Sequence, residues 1–288
     1  MAYPAFNGLT EPARAKAEYW RTAVGLVCAT ALYMGGSFAF FGLLHSFVGA
    51  AAVDEIATGA SPRGVLFLLA HFGIMAGAVA IVVIYLHDRS PLTLLGDRSL
   101  LGRDFLSMVQ LALVVALIGG TIVAFTLDLT VNTPFGLWLL LLPVALPLVA
   151  LQTGAEELVF RGYLQQQLGA RTSVQAVWMG IPAAVFAFVH FDAETMGANL
   201  WLYLGVIFLF ALVTGDITAR TGSIGAAWGL HFVNNVQALL VFSFVGPLSG
   251  LGLTSVGISV GDTAVRPLLF LDAAGLILIY MLWRRRHG

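Results

Sequence analysis

The chain has 288 residues, of which 59% are hydrophobic and only 10% charged, far from the composition of a water-soluble domain. A formal net charge of −1, with no basic stretch interleaved with aromatics, excludes nucleic acid as a partner. One cysteine, Cys28, excludes an intrachain disulfide framework and any cysteine-built metal cage; its place in an apolar run makes it a small packing residue.

The first twenty residues are polar and mixed in charge, so the first long apolar run is expected to act as an uncleaved signal anchor. Runs of about 20 apolar residues suit ~30 Å of hydrocarbon. They fall near 21–48, 64–86, 106–128, 135–158, 174–191, 200–218, 223–245 and 265–283. The fold class is therefore an all-α polytopic transmembrane helix bundle of about eight spans, and residues 1–288 form a single integral-membrane domain. Tyr19, Trp20 and Trp283 read as interfacial anchors. Gly73 and Gly77 form one GxxxG pair that suggests close helix packing.

Basic residues set the orientation, because Lys and Arg gather in short cytoplasmic loops. With eight spans, Arg14, Lys16, Arg21, Arg89, Arg98, Arg103, Arg171, Arg220, Arg284, Arg285 and Arg286 share one side, and only Arg63 and Arg266 lie on the other. Both termini are expected in the cytoplasm. The outer segment 246–264, with Gly246, Pro247, Gly250, Gly252, Gly257 and Gly261, reads as a flexible connection rather than a helix.

Chemistry concentrates between about 150 and 236, the motif-bearing core. Ionisable groups at bilayer depth cost roughly 2.5–3.5 kcal/mol on insertion scales, so Glu156, Glu157 and Arg161 mark a functional site by default. Residues four apart share a helix face, which lets Glu157 neutralise Arg161 and turns Glu156 elsewhere, free to react. Taken alone, the motif equally fits two carboxylates that merely brace Arg161. His190 follows in Phe186-Ala187-Phe188-Val189-His190, deep in the fifth run, and His231 and Asn235 share one face of the seventh. Asn234 is turned away and is left out of the site; His45 and His71 read as packed, hydrogen-bonded residues. Asp216 and Arg220 read as a structural pair, and Asp192 and Glu194 as part of a solvated turn. At 1.5 Å per residue, Glu156, His190, His231 and Asn235 come out at depths of about 14–24 Å, so the four can meet if the fourth helix runs on to about Leu168.

Glu-Glu-x-x-x-Arg, Phe-x-x-x-His and His-x-x-x-Asn, in this order on successive spans, resemble the motifs of the CPBP family, the CAAX-prenyl endopeptidases and bacteriocin-processing or self-immunity proteins also called the Abi family. The resemblance covers roughly 150–236, including the turn Arg220-Thr221-Gly222-Ser223-Ile224. It implies an intramembrane endopeptidase acting on membrane-associated, prenylated CAAX-like or other peptides. In it Glu156 and His190 activate water, His231 and Asn235 stabilise the oxyanion, and Glu157 and Arg161 support the site. The family is often labelled metalloprotease. Glu156, His190 and His231 would be the zinc ligands, but the HExxH helix is absent, which tilts the expectation to metal-free chemistry. Two other classes compete: a proton-coupled carrier hinged near Gly154, Gly180-Ile181-Pro182 or Gly215, and a non-catalytic immunity or scaffold protein of the same fold.

Overall fold

The computed structural model describes residues 3–287 and confirms an all-α bundle of membrane-spanning helices. A short amphipathic helix, α1 (Pro4–Thr10), leads through a 3₁₀ turn into α2 (Tyr19–Val48), then α3 (Ala50–Thr58), α4 (Pro62–Ala70), α5 (Phe72–His87) and α6 (Arg98–Thr126). Next come α7 (Phe135–Glu157), α8 (Gln166–Arg171), α9 (Ile181–Phe188), α10 (Ala193–Met196), α11 (Leu200–Thr221), α12 (Gly225–Val236) and α13 (Arg266–His287). Three π-helical stretches, Leu158–Gln165, Ala176–Gly180 and Gln237–Val241, interrupt this regularity, and each adjoins a helix that carries one of the motifs. The first joins α7 to α8, so the fourth helical rod runs unbroken from Phe135 to Arg171, past the Leu168 that the depth argument required.

Among the described residues six helical rods are long and apolar enough to cross a bilayer. The expected fifth and seventh spans are shorter than their apolar runs. Ala176–Phe188 covers only about 20 Å, and the helical path from Gly225 ends at Val241, where the chain turns into a strand. The eight-span count is therefore six long rods and two short ones, and both short rods carry site residues.

Packing of the short rods depends on glycine. A Cβ at Gly225 would lie 2.3 Å from the Leu101 carbonyl and one at Gly229 2.5 Å from that of Phe105, so α12 seats directly on the backbone of α6. That is the GxxxG pair that matters here. Gly77 meets nothing and Gly73 only the tip of Leu151, so the pair singled out in the second span is not a close-packing site. Where α11 ends, Gly222 adopts φ +74° and Gly96 φ +70°, and Asp97 N–H donates to the Gly222 carbonyl at 2.9 Å. A Cβ on Gly96 would strike that carbonyl at 2.2 Å.

Both ends of the chain meet at one end of the bundle. Tyr3 and Tyr280 hydroxyls donate to the two oxygens of Asp216 at 2.6 and 2.7 Å, and Arg220 pairs with it at 2.6 Å, the structural pair expected. Burial, with Asp216 alongside, pushes the Tyr3 phenol up to about 12. Phe6 and Leu9 of α1 bury against Leu164, Leu168, Trp178 and Met179. Trp283 is buried and stacks on His287, so it is a packing residue and not an interfacial anchor, whereas Tyr19 and Trp20 are exposed. Cys28 is also exposed, on the outer face of α2, and does not pack in the core.

The opposite end is closed by a small sheet of β1 (Thr130–Val131), β2 (Phe242–Val245) and β3 (Thr254–Ser259), in the order β1-β3-β2. β1 pairs antiparallel with β3, and β2 parallel. Asn132 Nδ2 ties down the glycine-rich segment by donating to the Ser249 and Gly252 carbonyls at 2.8 and 2.9 Å. The expected flexible connection is thus strand and hydrogen-bonded turn. Asp192 caps α10 by accepting from Thr195 N–H at 3.0 Å, in the exposed turn expected for it. His71 is a structural histidine held by the Leu68 carbonyl and the Tyr33 hydroxyl, but His45 is exposed.

Candidate active site

The site is built where the fourth rod, α9, α11 and α12 meet around a cavity of about 520 Å³. Glu156, His190, His231 and Asn235 all line it, together with Gln152, Phe186 and Asn234. Apolar side chains such as Val115, Ile207, Phe210 and Leu276 form much of the remaining wall.

Adjacent positions on α7 send the two acids in different directions. Glu156 turns toward the cavity. Its Oε1 accepts from Gln152 Nε2 at 2.9 Å, one helical turn earlier, and Gln152 Oε1 accepts from Asn235 Nδ2 at 2.7 Å. Glu157 points behind the cavity and is fully buried, 3.2 Å from Arg161 Nη1, the i,i+4 pair expected. Arg161 also donates to the Thr214 hydroxyl on α11, and its guanidinium lies 4.7 Å above the Phe186 ring. Phe186 thus supports the arginine on one side and His190 on the other, with ring centroids 4.8 Å apart. That explains why an aromatic stands four residues before the histidine.

His231 links the acids. Nδ1 bonds Glu157 Oε1 at 2.8 Å, and Nε2 faces Glu156 Oε2 at 3.4 Å. A carboxylate only accepts, so Glu157 fixes the proton on Nδ1. Glu156, Glu157, Arg161 and His231 thus form one buried cluster in which each acid faces a nitrogen donor.

His190 is not deep within a helix. It occupies the turn just past α9, where Nδ1 meets the Phe186 carbonyl at 2.7 Å, leaving Nε2 as an acceptor on the cavity. Because α9 is short, its end coincides with the site. Asn234 also lines the cavity, and its amide donates to Asn235 Oδ1 at 3.3 Å, so it belongs to the polar rim rather than to a neighbouring helix.

The zinc set Glu156, His190 and His231 does not assemble. Among the described residues no group of three His, Cys, Asp or Glu side chains is placed to hold an ion, that set included. The hinge glycines of the carrier reading also fare poorly, since Gly154 and Gly215 lie inside continuous helices.

Sequence reasoning missed Gln152, Thr214 and the role of Phe186. Gln152 was detectable as a lone amide in an apolar run, one turn before Glu156; Thr214 carried no signal.

The family model for type II CAAX prenyl endopeptidase Rce1-like proteins matches residues 134–237, a segment that holds all three motifs. The uncharacterized protein YyaK of Bacillus subtilis (strain 168) is 39% identical over 97 residues, 33% of this chain and 32% of that protein. The chain matches about a third of the length of that relative. No solved structure matches the chain. The segment similar to the type II CAAX prenyl endopeptidase Rce1-like family, residues 134–237, contains every polar side chain of the constellation just described.

Proposed function

We propose that the protein is an intramembrane endopeptidase that hydrolyses apolar or lipid-modified peptides, prenylated CAAX-like tails among them, with Glu156 as general base. The observation that carries this reading is His231 held between two carboxylates on a cavity shared with His190 and Asn235. Glu156 takes a proton from a water that also donates to His190 Nε2, and the water oxygen attacks the peptide carbonyl carbon. The oxyanion accepts from His231 Nε2–H and from the second N–H of the Asn235 amide, whose first N–H is held by Gln152. Glu156 then passes its proton to the amide nitrogen, the C–N bond breaks, and an acid and an amine leave. Glu157 and Arg161 hold the imidazole and balance its charge. The basic end, where both termini lie, faces the cytoplasm in this reading.

The test is cleavage of a farnesylated peptide by protein reconstituted in liposomes, read by mass spectrometry for wild type, Glu156→Gln and His231→Ala, with and without a chelator. Cleavage by wild type alone, unchanged by the chelator, supports the reading. Equal cleavage by all three proteins removes it, and chelator-sensitive cleavage removes the metal-free chemistry.

A further inference from the structure

One carboxylate on the cavity has no part in the chemistry above. Asp272 lies in α13, inside a membrane-spanning rod, and lines the same cavity as Glu156, His190 and His231. Among the described residues it makes no hydrogen bond and no ion pair, unlike Asp216 on the same pair of helices. Asp272 is an exposed residue at bilayer depth, so its carboxylate is open to whatever enters the cavity.

Its height can be measured from fixed contacts at the basic end. Tyr280, eight residues along α13, bonds Asp216; Gln165, nine residues along the fourth rod from Glu156, bonds the Gly215 carbonyl. At 1.5 Å per residue both carboxylates stand about 12–14 Å above those contacts, one on each wall. Tyr203, on α11, also lines the cavity and lies within electrostatic range of both. Among the described residues Asp272 is the cavity carboxylate without a hydrogen-bond or ion-pair partner, whereas Glu156 has Gln152 and His231. A peptide threaded past Glu156 meets it across an apolar gap.

Building on the endopeptidase reading, we infer that Asp272, with Tyr203 beside it, forms a substrate subsite for a cationic side chain, lysine or arginine, near the scissile bond. The carboxylate selects position and charge; it does not react.

The experiment compares internally quenched farnesylated peptides that differ only in carrying Lys, Gln or Glu at successive positions on either side of the scissile bond. At one position wild type favours Lys over Glu in kcat/KM by about tenfold or more. In Asp272→Asn that ratio falls to about one, in Asp272→Glu it persists, and in Asp272→Lys it inverts. No preference in wild type, or a preference untouched by Asp272→Asn, overturns the inference. Should wild type cleave none of the peptides, the endopeptidase reading fails on its own account. The subsite is then decided by fluorescence anisotropy of the labelled Lys and Glu peptides on wild type and Asp272→Asn: a Lys preference that the variant loses supports it, and equal or undetectable binding overturns it.

Discussion

The first span and the span ending at Thr221 are nearly equal in length and apolarity, yet only 11% of the core window of Tyr19–Val48 is buried against 50% for Ala193–Thr221. Hydropathy cannot tell them apart. What separates them is polar and small residues at contact points: α11 offers Thr214 to Arg161, the Gly215 carbonyl to Gln165 and Asp216 to Tyr3, Tyr280, Arg220 and Arg284. α2 meets the site-bearing rod at its basic end, where Gly25 lies beneath the Tyr163 hydroxyl, the Thr22 carbonyl accepts from that hydroxyl at 3.4 Å and Tyr19 faces Arg171. In lipid, apolar surface provides no reason for helices to associate, so order concentrates where hydrogen bonds and close backbone contact occur. The site therefore sits in the best-connected part of the bundle, and the first span wraps its outside.

Substitutions break this contrast in graded steps. The largest effect is on chemistry alone: Glu156→Gln lowers kcat by about 10²–10⁴-fold, the usual worth of a general base, while thermal unfolding in detergent stays close to wild type. Next comes Arg161→Ala, which strands Glu157 as an uncompensated buried charge and costs about 3–5 kcal/mol, visible as loss of the monodisperse peak on size-exclusion chromatography. Gly229→Val forces side-chain atoms into the Phe105 carbonyl and lowers stability by about 1–3 kcal/mol, whereas Gly77→Ala, with open space around it, leaves the melting temperature unchanged. A large shift at Gly77 would show that the outer helices are as tightly held as the site.

The smallest effect lies at the sheet end. The Arg63 guanidinium holds the Glu55 carboxyl down to about 2, so whatever stability the pair adds is present above the ordinary glutamate value of ~4.3 and is lost as pH falls toward 2. Glu55 and Arg63 face solvent, and Glu55→Gln should give no resolvable melting change at pH 7 and a shallower acid limb below pH 4.3.

The same contrast explains what the sequence made legible. Pairs set by helical periodicity could be read: Glu157 with Arg161, Asp216 with Arg220, and His231 with Asn235 on one wall. The contact that defines the site could not, because Glu157 and His231 lie 74 positions apart and no local pattern encodes their distance. Neither could the π-helical turns, which arise from how neighbouring rods pack and not from residue propensity. Gln152 and Asp272 were within reach of the rule that flagged Glu156, a polar group in an apolar run. Glycine misled in both directions: Gly73 and Gly77 matched a packing motif without packing, while the glycines of 246–264 hid a strand.

The short separation of Glu156 and His231 has an electrical consequence for the proposed chemistry. A proton passing between an acid and an imidazole 3.4 Å apart never transports charge across the bilayer. Each elementary charge moved through a 100 mV membrane potential is worth about 2.3 kcal/mol, and here nothing is moved. On the endopeptidase reading, turnover is expected to be the same across an energised and a depolarised bilayer, and liposomes clamped at opposite potentials should hydrolyse at indistinguishable speeds.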